Sequence, residues 1–385
     1  MRIVLKEPPP PVRPAIAVVA AVFILVPATA AIVMRLLEGQ SVPAALIVPV
    51  ALFLFPVVTG MRGLFRKKRE GALVVDAGEI AVDLPGAEPF RAALPSLSVL
   101  RAAKMGLVVG TEDRAIVVPK ASLTVPAADV VTAVHEALRP AHEELSAFLA
   151  RRDQAAGAIE KRPLVATYGV AAVIAFVFVA EVLAGAMSDG RVLIEMGAAR
   201  RDLVIDGGWW RIPAAALMHG HLLHLVLNAT TLLVIGPVLE RWLSKWRYLL
   251  VLLGGALIGT GASALFREDV ATVGLSGGLF ALLGALATTT LRYRKAPLIG
   301  PRLPLRSWLI LLVTNAAITL APGVDAWAHV GGAVAGALIA LPLTPSVKDG
   351  ERVPSRVKER AARIAALVVI AIYAAGLVGM GVHAL

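Results

Sequence analysis

Long apolar runs separated by short polar loops dominate the hydropathy pattern of this chain. About nine of these runs have few charges and approach the length of about 20 residues with which a helix crosses a bilayer. The predicted spans are Ala15–Met34, Val42–Gly60, Leu164–Met187, Ile212–Gly236, Tyr248–Phe266, Leu275–Leu291, Trp308–Leu320, Trp327–Leu343 and Ile364–Leu385. The pattern therefore predicts a polytopic α-helical membrane protein.

One segment between the second and third spans, residues 70–153, has a different pattern. Its first half alternates short apolar runs with turns, which is typical of strands: Ala72–Val75, Ile80–Leu84, Leu97–Leu100, Gly106–Val109 and Ala115–Val118. Its second half has helical spacing from Ala127 onward, and Pro140 is expected to kink or split that helix. The order, a small sheet closed by a helix, resembles the pleckstrin-homology-like domains of bacterial membrane proteins. A plain regulatory α+β domain fits it as well.

Composition agrees with a membrane protein, because 58% of the residues are hydrophobic and only 17% are charged. The net charge of +11 is compatible with nucleic-acid binding. The basic residues, however, cluster in alternate loops: Arg62–Arg69, Arg151–Arg162, Arg241–Arg247, Arg292–Arg306 and Lys348–Arg363. If these loops face the cytoplasm, the positive-inside rule holds, with the N-terminus inside and the C-terminus outside. We therefore predict no nucleic-acid partner.

The N-terminus shares features with a secretory signal, since basic residues precede an apolar run and Ala28-Thr29-Ala30 has the composition of a cleavage site. The apolar run continues to Met34 without a polar break, which favours an uncleaved span. The chain has no cysteine, so disulfides and thiolate metal sites are excluded.

Ser276 and His329 are polar residues at the start of two apolar spans. A serine becomes a nucleophile when a base within hydrogen-bond reach takes its proton, and a histidine is the usual base. The Ser276 N–H at a helix N-terminus also favours a developing negative charge. Taken alone, Ser276 fits a helix cap equally well. Its glycine-rich surroundings match the nucleophile elbow of α/β-hydrolases too, but that fold requires a preceding strand, whereas membrane spans flank this serine.

Three histidines and an asparagine open the span that ends near Gly236. His224 and Asn228 are four residues apart, so they share a helix face and can donate hydrogen bonds to an oxyanion. A metal site is the alternative for His219, His221 and His224. The chain has no His-Glu-x-x-His motif and these three residues do not share one face, so we predict no metal and no cofactor.

Together these motifs resemble the rhomboid family of intramembrane serine proteases. Three motifs of the family occur in this order along the chain: His-x4-His-x3-Asn, Gly-x-Ser-Gly and Ala-His-x2-Gly-x3-Gly. The family's Trp-Arg and Gly-x3-Glu motifs are present as well. The matching residues are His219, His224, Asn228, Gly274, Ser276, Gly277, Ala328, His329, Gly332, Gly336, Trp210, Arg211, Gly236 and Glu240. The resemblance covers about Leu164–Leu343.

The resemblance implies a catalytic dyad of Ser276 and His329 that needs no third acid, so Asp325 is expected to be structural or solvent-facing. It implies an oxyanion site formed by the Ser276 N–H, His224 and Asn228. His219, Gly274, Gly277, Phe280, Gly332, Gly336, Arg211 and Glu240 are expected to support the site. Phe280 departs from the family, which often has tyrosine there, but it keeps the aromatic surface that packs on the histidine.

The predicted organisation is a two-span anchor (1–69), a cytoplasmic α+β domain (70–153), a rhomboid-like six-helix core (160–345), and a basic linker with a seventh core helix (346–385). The predicted function is proteolysis of transmembrane substrates near their extracytoplasmic end, in the bilayer of a bacterial inner membrane. A catalytically inactive rhomboid-like adaptor that binds transmembrane helices is the alternative. A transporter is less consistent, because no repeat or paired discontinuous segments are evident.

Overall fold

The structure is a computed structural model that describes residues 2–5, 71–293, 319, 324–348, 351–353 and 355–384, apart from 77, 86, 104–105, 112–113 and 269. The described residues form two compact units, a strand-rich unit with residues up to Ala158 and a helical unit that begins at Ile159. The predicted spans at 15–34, 42–60 and 308–320 lie outside the described residues.

The strand-rich unit contains two antiparallel sheets followed by helices. The first sheet has the order β1 (Arg2–Leu5), β2 (Gly71–Val75), β3 (Glu79–Asp83), β4 (Phe90–Ala93), and the second has the order β5 (Val99–Ala103), β6 (Gly106–Gly110), β7 (Ala115–Pro119). Helices α1 (Ala127–Leu138) and α2 (Glu143–Glu160) follow. Pro140 lies in the turn between them, since a proline inside a helix removes a hydrogen bond and clashes with the preceding turn. The sequence prediction missed β4 and ended the helical part seven residues too early, at 153 instead of Glu160.

Strand β1 comes from the segment that the sequence prediction assigned to the membrane anchor. It pairs antiparallel with β2, with Ile3 opposite Leu73. Alternation along the strand turns Ile3 and Leu5 into the core, where their exposed fractions are 4% and 0%. Because β1 and β2 are neighbours in one sheet, residues 5 and 71 lie on the same side of any membrane. The pair of crossings predicted between them meets that requirement.

Both sheets and both helices contribute to one apolar core. Helix α1 buries Val130, Val134 and Leu138, which are spaced four residues apart and so lie on one face. Leu73 and Leu107 from the two sheets are fully buried in the same cluster. The unit therefore has a folding core of its own.

The helical unit consists of nine helices and a short hairpin within the described residues. They are α3 (Val165–Leu183), α4 (Gly190–Met196), α5 (Arg201–Ile205), α6 (Arg211–Ala215), α7 (Leu222–Leu243), α8 (Lys245–Phe266), α9 (Ser276–Arg292), α10 (Ala326–Leu343), β8 (Ser346–Lys348), β9 (Glu351–Val353) and α11 (Arg356–Ala384). Five stretches of the described chain are long and apolar enough to cross a membrane: 143–183, 222–243, 245–266, 326–343 and 356–382. This confirms a polytopic helical membrane protein.

The predicted span Ile212–Gly236 is wrong at both ends. Its first part belongs to the short helix α6 and the loop that follows, and the long helix is Leu222–Leu243. Gly220, with a φ of +69°, breaks the helical path, and His221 caps α7 by accepting a hydrogen bond from the His224 N–H. Hydropathy averaged over about 20 residues does not register this break, because the apolar residues on both sides outweigh the three loop residues His219, Gly220 and His221.

Helices α8, α9 and α10 pack closely through glycines. A Cβ at Gly332 of α10 would overlap the Gly277 carbonyl of α9, and one at Gly336 would overlap the Ala281 carbonyl. A Cβ at Gly259 of α8 would lie 2.6 Å from the Ala328 carbonyl oxygen. Small residues let helix backbones approach in lipid, where water supplies no hydrophobic drive between helices.

We predict that Leu5→Ala lowers the free energy of unfolding of the strand-rich unit by about 2–5 kcal/mol, because it leaves a cavity in the core. Val4→Ala is the matched control, since Val4 is 48% exposed, and its effect should stay within about 0.5 kcal/mol. Hydrogen exchange of the β2 and β3 amides in the full chain measures both effects. Equal protection in the two variants would show that β1 is not part of this core.

Candidate active site

Ser276 is the first residue of α9, and Leu275 occupies the capping position before it. The serine therefore lies inside the first turn of the helix and is not its cap. The first N–H groups of a helix have no acceptor within the helix, so the Ser276 N–H points out of the N-terminus. An α/β-hydrolase elbow needs a strand directly before the serine. Among the described residues just before Ser276, the only β-type pairing is an isolated bridge between Ala199 and Thr272.

His329 lies in the first turn of α10 and is 4% exposed. Its ring stacks on Phe280, with ring centroids 4.0 Å apart and planes 13° from parallel. Phe280 is four residues after Ser276, so both lie on one face of α9. The imidazole therefore lies over the helix face that carries the serine, and Phe280 provides the stacking surface that the more common tyrosine would provide.

The glycine contacts between α9 and α10 set the register of these two residues. Gly277, next to the serine, meets Gly332, which is three residues after the histidine. A Cβ at Gly277 would also lie 3.2 Å from the carbonyl oxygen of Ala328. The first turns of α9 and α10 are thus adjacent, with backbone against backbone.

His224 of α7 lies against the loop that precedes Ser276, and Asn228 is one turn further along the same helix. Gly274, with a φ of +123°, has no room for a side chain, because a Cβ there would lie 2.6 Å from His224 Cε1. The His224 ring therefore contacts the backbone two residues before Ser276. Asn228 Nδ2 donates to the His224 carbonyl oxygen at 3.1 Å, which uses one of its two N–H groups.

The hydrogen bond of His224 determines which of its ring nitrogens carries a proton. Nδ1 lies 2.9 Å from the His219 carbonyl oxygen, and a carbonyl only accepts, so Nδ1 is the donor. In the neutral ring Nε2 then has only a lone pair. Asn228 can therefore donate to an oxyanion while the His224 ring is neutral. His224 Nε2 can donate only when the ring is protonated to the imidazolium form.

Glu181 of α3 supports the loop that leads into α7, and the sequence analysis missed it. It is 0% exposed, and its two carboxylate oxygens accept hydrogen bonds from the His219 N–H at 2.9 Å and the Gly220 N–H at 2.8 Å. The sequence does contain a feature that could have identified Glu181, because it is the single acidic residue inside the predicted span Leu164–Met187. An ionisable residue within a span is costly and marks a structural or functional role.

Asp325 caps the N-terminus of α10 by accepting a hydrogen bond from the Ala328 N–H at 3.0 Å. Its carboxylate also accepts from the Ser263 and Thr272 hydroxyls and lies 3.6 Å from the Arg267 guanidinium. One carboxylate thus joins the start of α10, the end of α8 and the loop before Ser276. With a side chain that is 11% exposed and held by these contacts, Asp325 is not solvent-facing.

Arg211 and Glu240 lie away from Ser276 and stabilise other parts of the fold. Arg211 donates to the Ile194 carbonyl and lies over the Trp210 ring. Glu240 accepts hydrogen bonds from the N–H groups of Ala166 and Thr167, both at 2.8 Å, and so caps α3. Within the described part of the chain, no three His, Asp or Glu side chains converge as metal ligands.

The long apolar helices and the polar residues between them define a polytopic helical membrane protein. Residues 206–346 match the model of the Rhomboid domain, a segment that contains the Ser276, His329, His224 and Asn228 positions. This segment of the chain is therefore similar to the Rhomboid domain.

Several known rhomboids are similar to this chain. Rhomboid protease GluP of Bacillus subtilis is 30% identical over 45% of this chain and 34% of its own length. RHOMBOID-like protein 6, mitochondrial, of Arabidopsis thaliana is 34% identical over 37% of this chain and 47% of its own length. Rhomboid protease AarA of Providencia stuartii is 31% identical over 39% of this chain and 61% of its own length. The chain thus spans less than two thirds of each relative.

We predict that Asp325→Asn keeps its activity, because asparagine caps a helix about as well as aspartate. Asp325→Ala removes the capping oxygen and should lower the free energy of unfolding by about 1–2 kcal/mol. Thermal unfolding in detergent and proteolytic rates measure the two effects. A loss near 10⁴-fold in the asparagine variant would identify Asp325 as a triad acid.

Proposed function

We propose that this protein is an intramembrane serine endopeptidase that cleaves the transmembrane helices of other membrane proteins. The observation that carries the proposal is the His329 ring stacked on Phe280, over the face of α9 that bears Ser276. Relatives at about 30% identity are named rhomboid proteases, which supports the same activity.

In the proposed reaction His329 takes the proton of the Ser276 hydroxyl as the Oγ attacks the carbonyl carbon of the scissile peptide bond. The tetrahedral intermediate collapses when His329 returns this proton to the leaving nitrogen, which leaves an ester on Ser276. A water molecule then attacks the ester, with His329 again as the base, and releases the new carboxylate. His329 is buried and Ser276 is half-buried, and the close contact between the first turns of α9 and α10 would fix the orientation that this proton transfer requires.

The oxyanion of the intermediate would lie at the N-terminus of α9. The Ser276 N–H is one donor, and the second N–H of Asn228 Nδ2 is another. The His224 ring helps in two ways, by its contact with the Gly274 backbone and as a donor once it is protonated. Prearranged donors of this kind contribute about 2.7–4 kcal/mol each in soluble serine proteases.

The orientation that we propose follows from the helix ends. Ser276 and His329 lie at the starts of α9 and α10, whereas Arg292 is the last residue of α9 and the basic segment Lys348–Arg363 comes after the end of α10. The positive-inside rule then supports an active site on the extracytoplasmic side, and we propose that the membrane is the bacterial inner membrane. Cleavage would occur near the extracytoplasmic end of the substrate helix.

The strand-rich unit is proposed to be a cytoplasmic domain of the pleckstrin-homology-like type. Sheets of four and three antiparallel strands followed by a helix support this assignment, which rests on element order alone. The unit supplies no residue to the proposed dyad, so it would act by recruitment or regulation.

Proteolysis of a single-span substrate in liposomes tests the proposed function. Ser276→Ala and His329→Ala should each reduce cleavage to background, because loss of either member of such a dyad costs about as much as losing both, up to about 10⁶-fold. The matched controls Ser188→Ala and His142→Ala change exposed residues outside the site and should cleave normally.

Appreciable cleavage by either dyad variant would contradict the assignment. A wild-type protein that binds the substrate helix, cleaves nothing and does not react with a serine-directed phosphonate would instead be the inactive adaptor.

A further inference from the structure

A cavity of about 530 Å³ opens at the end of the helical unit that lies opposite Ser276. It lies where α3, α8 and α11 begin and α7 ends. Glu240, at the cavity, is twelve positions after Asn228 in α7, which corresponds to about 18 Å along a helix. The cavity is therefore distinct from the candidate active site.

Basic side chains dominate the lining of this cavity. The lining contains five exposed cations and only two carboxylates. The cations are Arg162, Lys245, Arg356, Arg360 and Arg363. Guanidinium groups match the geometry of phosphate oxygens and bind them through paired hydrogen bonds. The lining thus has the chemistry of a phosphate site.

The two carboxylates of the cavity are already engaged by the protein. Glu240 accepts the two amide hydrogen bonds that cap α3 and is 2% exposed. Glu359 accepts a hydrogen bond from the Ser244 hydroxyl at 2.8 Å and forms an ion pair with Arg247 at 3.0 Å. Five cations thus face two carboxylates, one of which is already paired with Arg247, so the cavity retains an excess of positive charge for an anion.

Half-buried Trp246 holds two of these cations in place. Lys245 Nζ lies 4.9 Å from its ring centroid and Arg363 Cζ lies 5.5 Å away. Cations at this distance are attracted by an indole face, and tryptophan is enriched where membrane helices meet the lipid headgroups. The tryptophan and the basic residues together indicate the headgroup layer of a membrane.

Apolar side chains are exposed beside the cavity, further along the same helices. On α3 they are Val165 and Tyr168, 62% and 59% exposed, and on α11 they are Ile364 and Leu367, 55% and 45% exposed. A free phosphate needs no such surface, whereas the acyl chains of a lipid would lie along it. This combination favours a lipid over a soluble anion.

We propose that this cavity binds the phosphate headgroup of an anionic phospholipid from the leaflet opposite the active site. The arginines and Lys245 contact the phosphate, Trp246 packs against the glycerol region, and the acyl chains follow α3 and α11. Basic pockets between membrane helices are known to bind such headgroups. The proposal does not depend on proteolytic activity.

The test uses the full chain in bilayers of phosphatidylcholine, with and without phosphatidylglycerol, and native mass spectrometry to count retained lipids. The double variant Lys245→Gln/Arg360→Gln removes two cavity cations. The matched control Arg191→Gln/Lys358→Gln removes two cations outside the cavity and gives the same net charge. Equal thermal unfolding temperatures in phosphatidylcholine alone show that both variants fold.

We expect the wild type and the control to retain phosphatidylglycerol and to unfold at a higher temperature in its presence. The cavity variant should bind it about 10- to 30-fold more weakly, the effect of two lost cations near a membrane surface. Equal retention by both variants would overturn the proposal. So would an equal rise in unfolding temperature when inorganic phosphate is added to phosphatidylcholine bilayers, since the ligand would then be a soluble anion.

Discussion

Close backbone contact between α8, α9 and α10 is the constraint on which the candidate active site depends. Within a bilayer, helices gain little from burying apolar side chains, so association depends on packing and on polar contacts. Glycines 259, 277, 332 and 336 remove the side chains that would separate these three helices. This close packing fixes the register of α9 against α10, and therefore the position of Ser276 relative to His329.

Buried or half-buried carboxylates provide a second set of constraints at the helix ends. Glu181, Glu240 and Asp325 each accept at least two hydrogen bonds from backbone N–H or hydroxyl groups. A buried charge is tolerated when such partners compensate its lost hydration, and the ends of helices provide unpaired N–H groups that need acceptors. These residues hold the loop before α7 and the starts of α3 and α10, so they fix the helix ends on which the proposed site is built.

The sequence predicted the helical part of this arrangement well, because apolar length and short motifs are local signals. Ser276 and His329 are found in the first turns of adjacent helices, and Phe280 stacks as an aromatic residue at its position should. Strand β1 escaped prediction, since its partner strand lies beyond the apolar region and a four-residue strand has little signal of its own. The start of α7 escaped it because apolar residues on both sides outweigh the short polar segment His219–His221. Glu181 was visible in the sequence, but its role depends on which backbone groups the fold brings to it.

The central claim, that glycine packing aligns the serine with its base, is tested most directly by the reactivity of Ser276. The measurement is the rate at which a serine-directed phosphonate labels Ser276 in two glycine-to-alanine variants with unchanged helix content. Gly332→Ala places a methyl group against the Gly277 carbonyl, whereas Gly261→Ala meets no atom within 4 Å. Because a displacement of about 1 Å can cost 10²-fold, labelling should slow by about that factor in Gly332→Ala and stay at the wild-type rate in Gly261→Ala. Wild-type labelling of a folded Gly332→Ala variant would contradict the account.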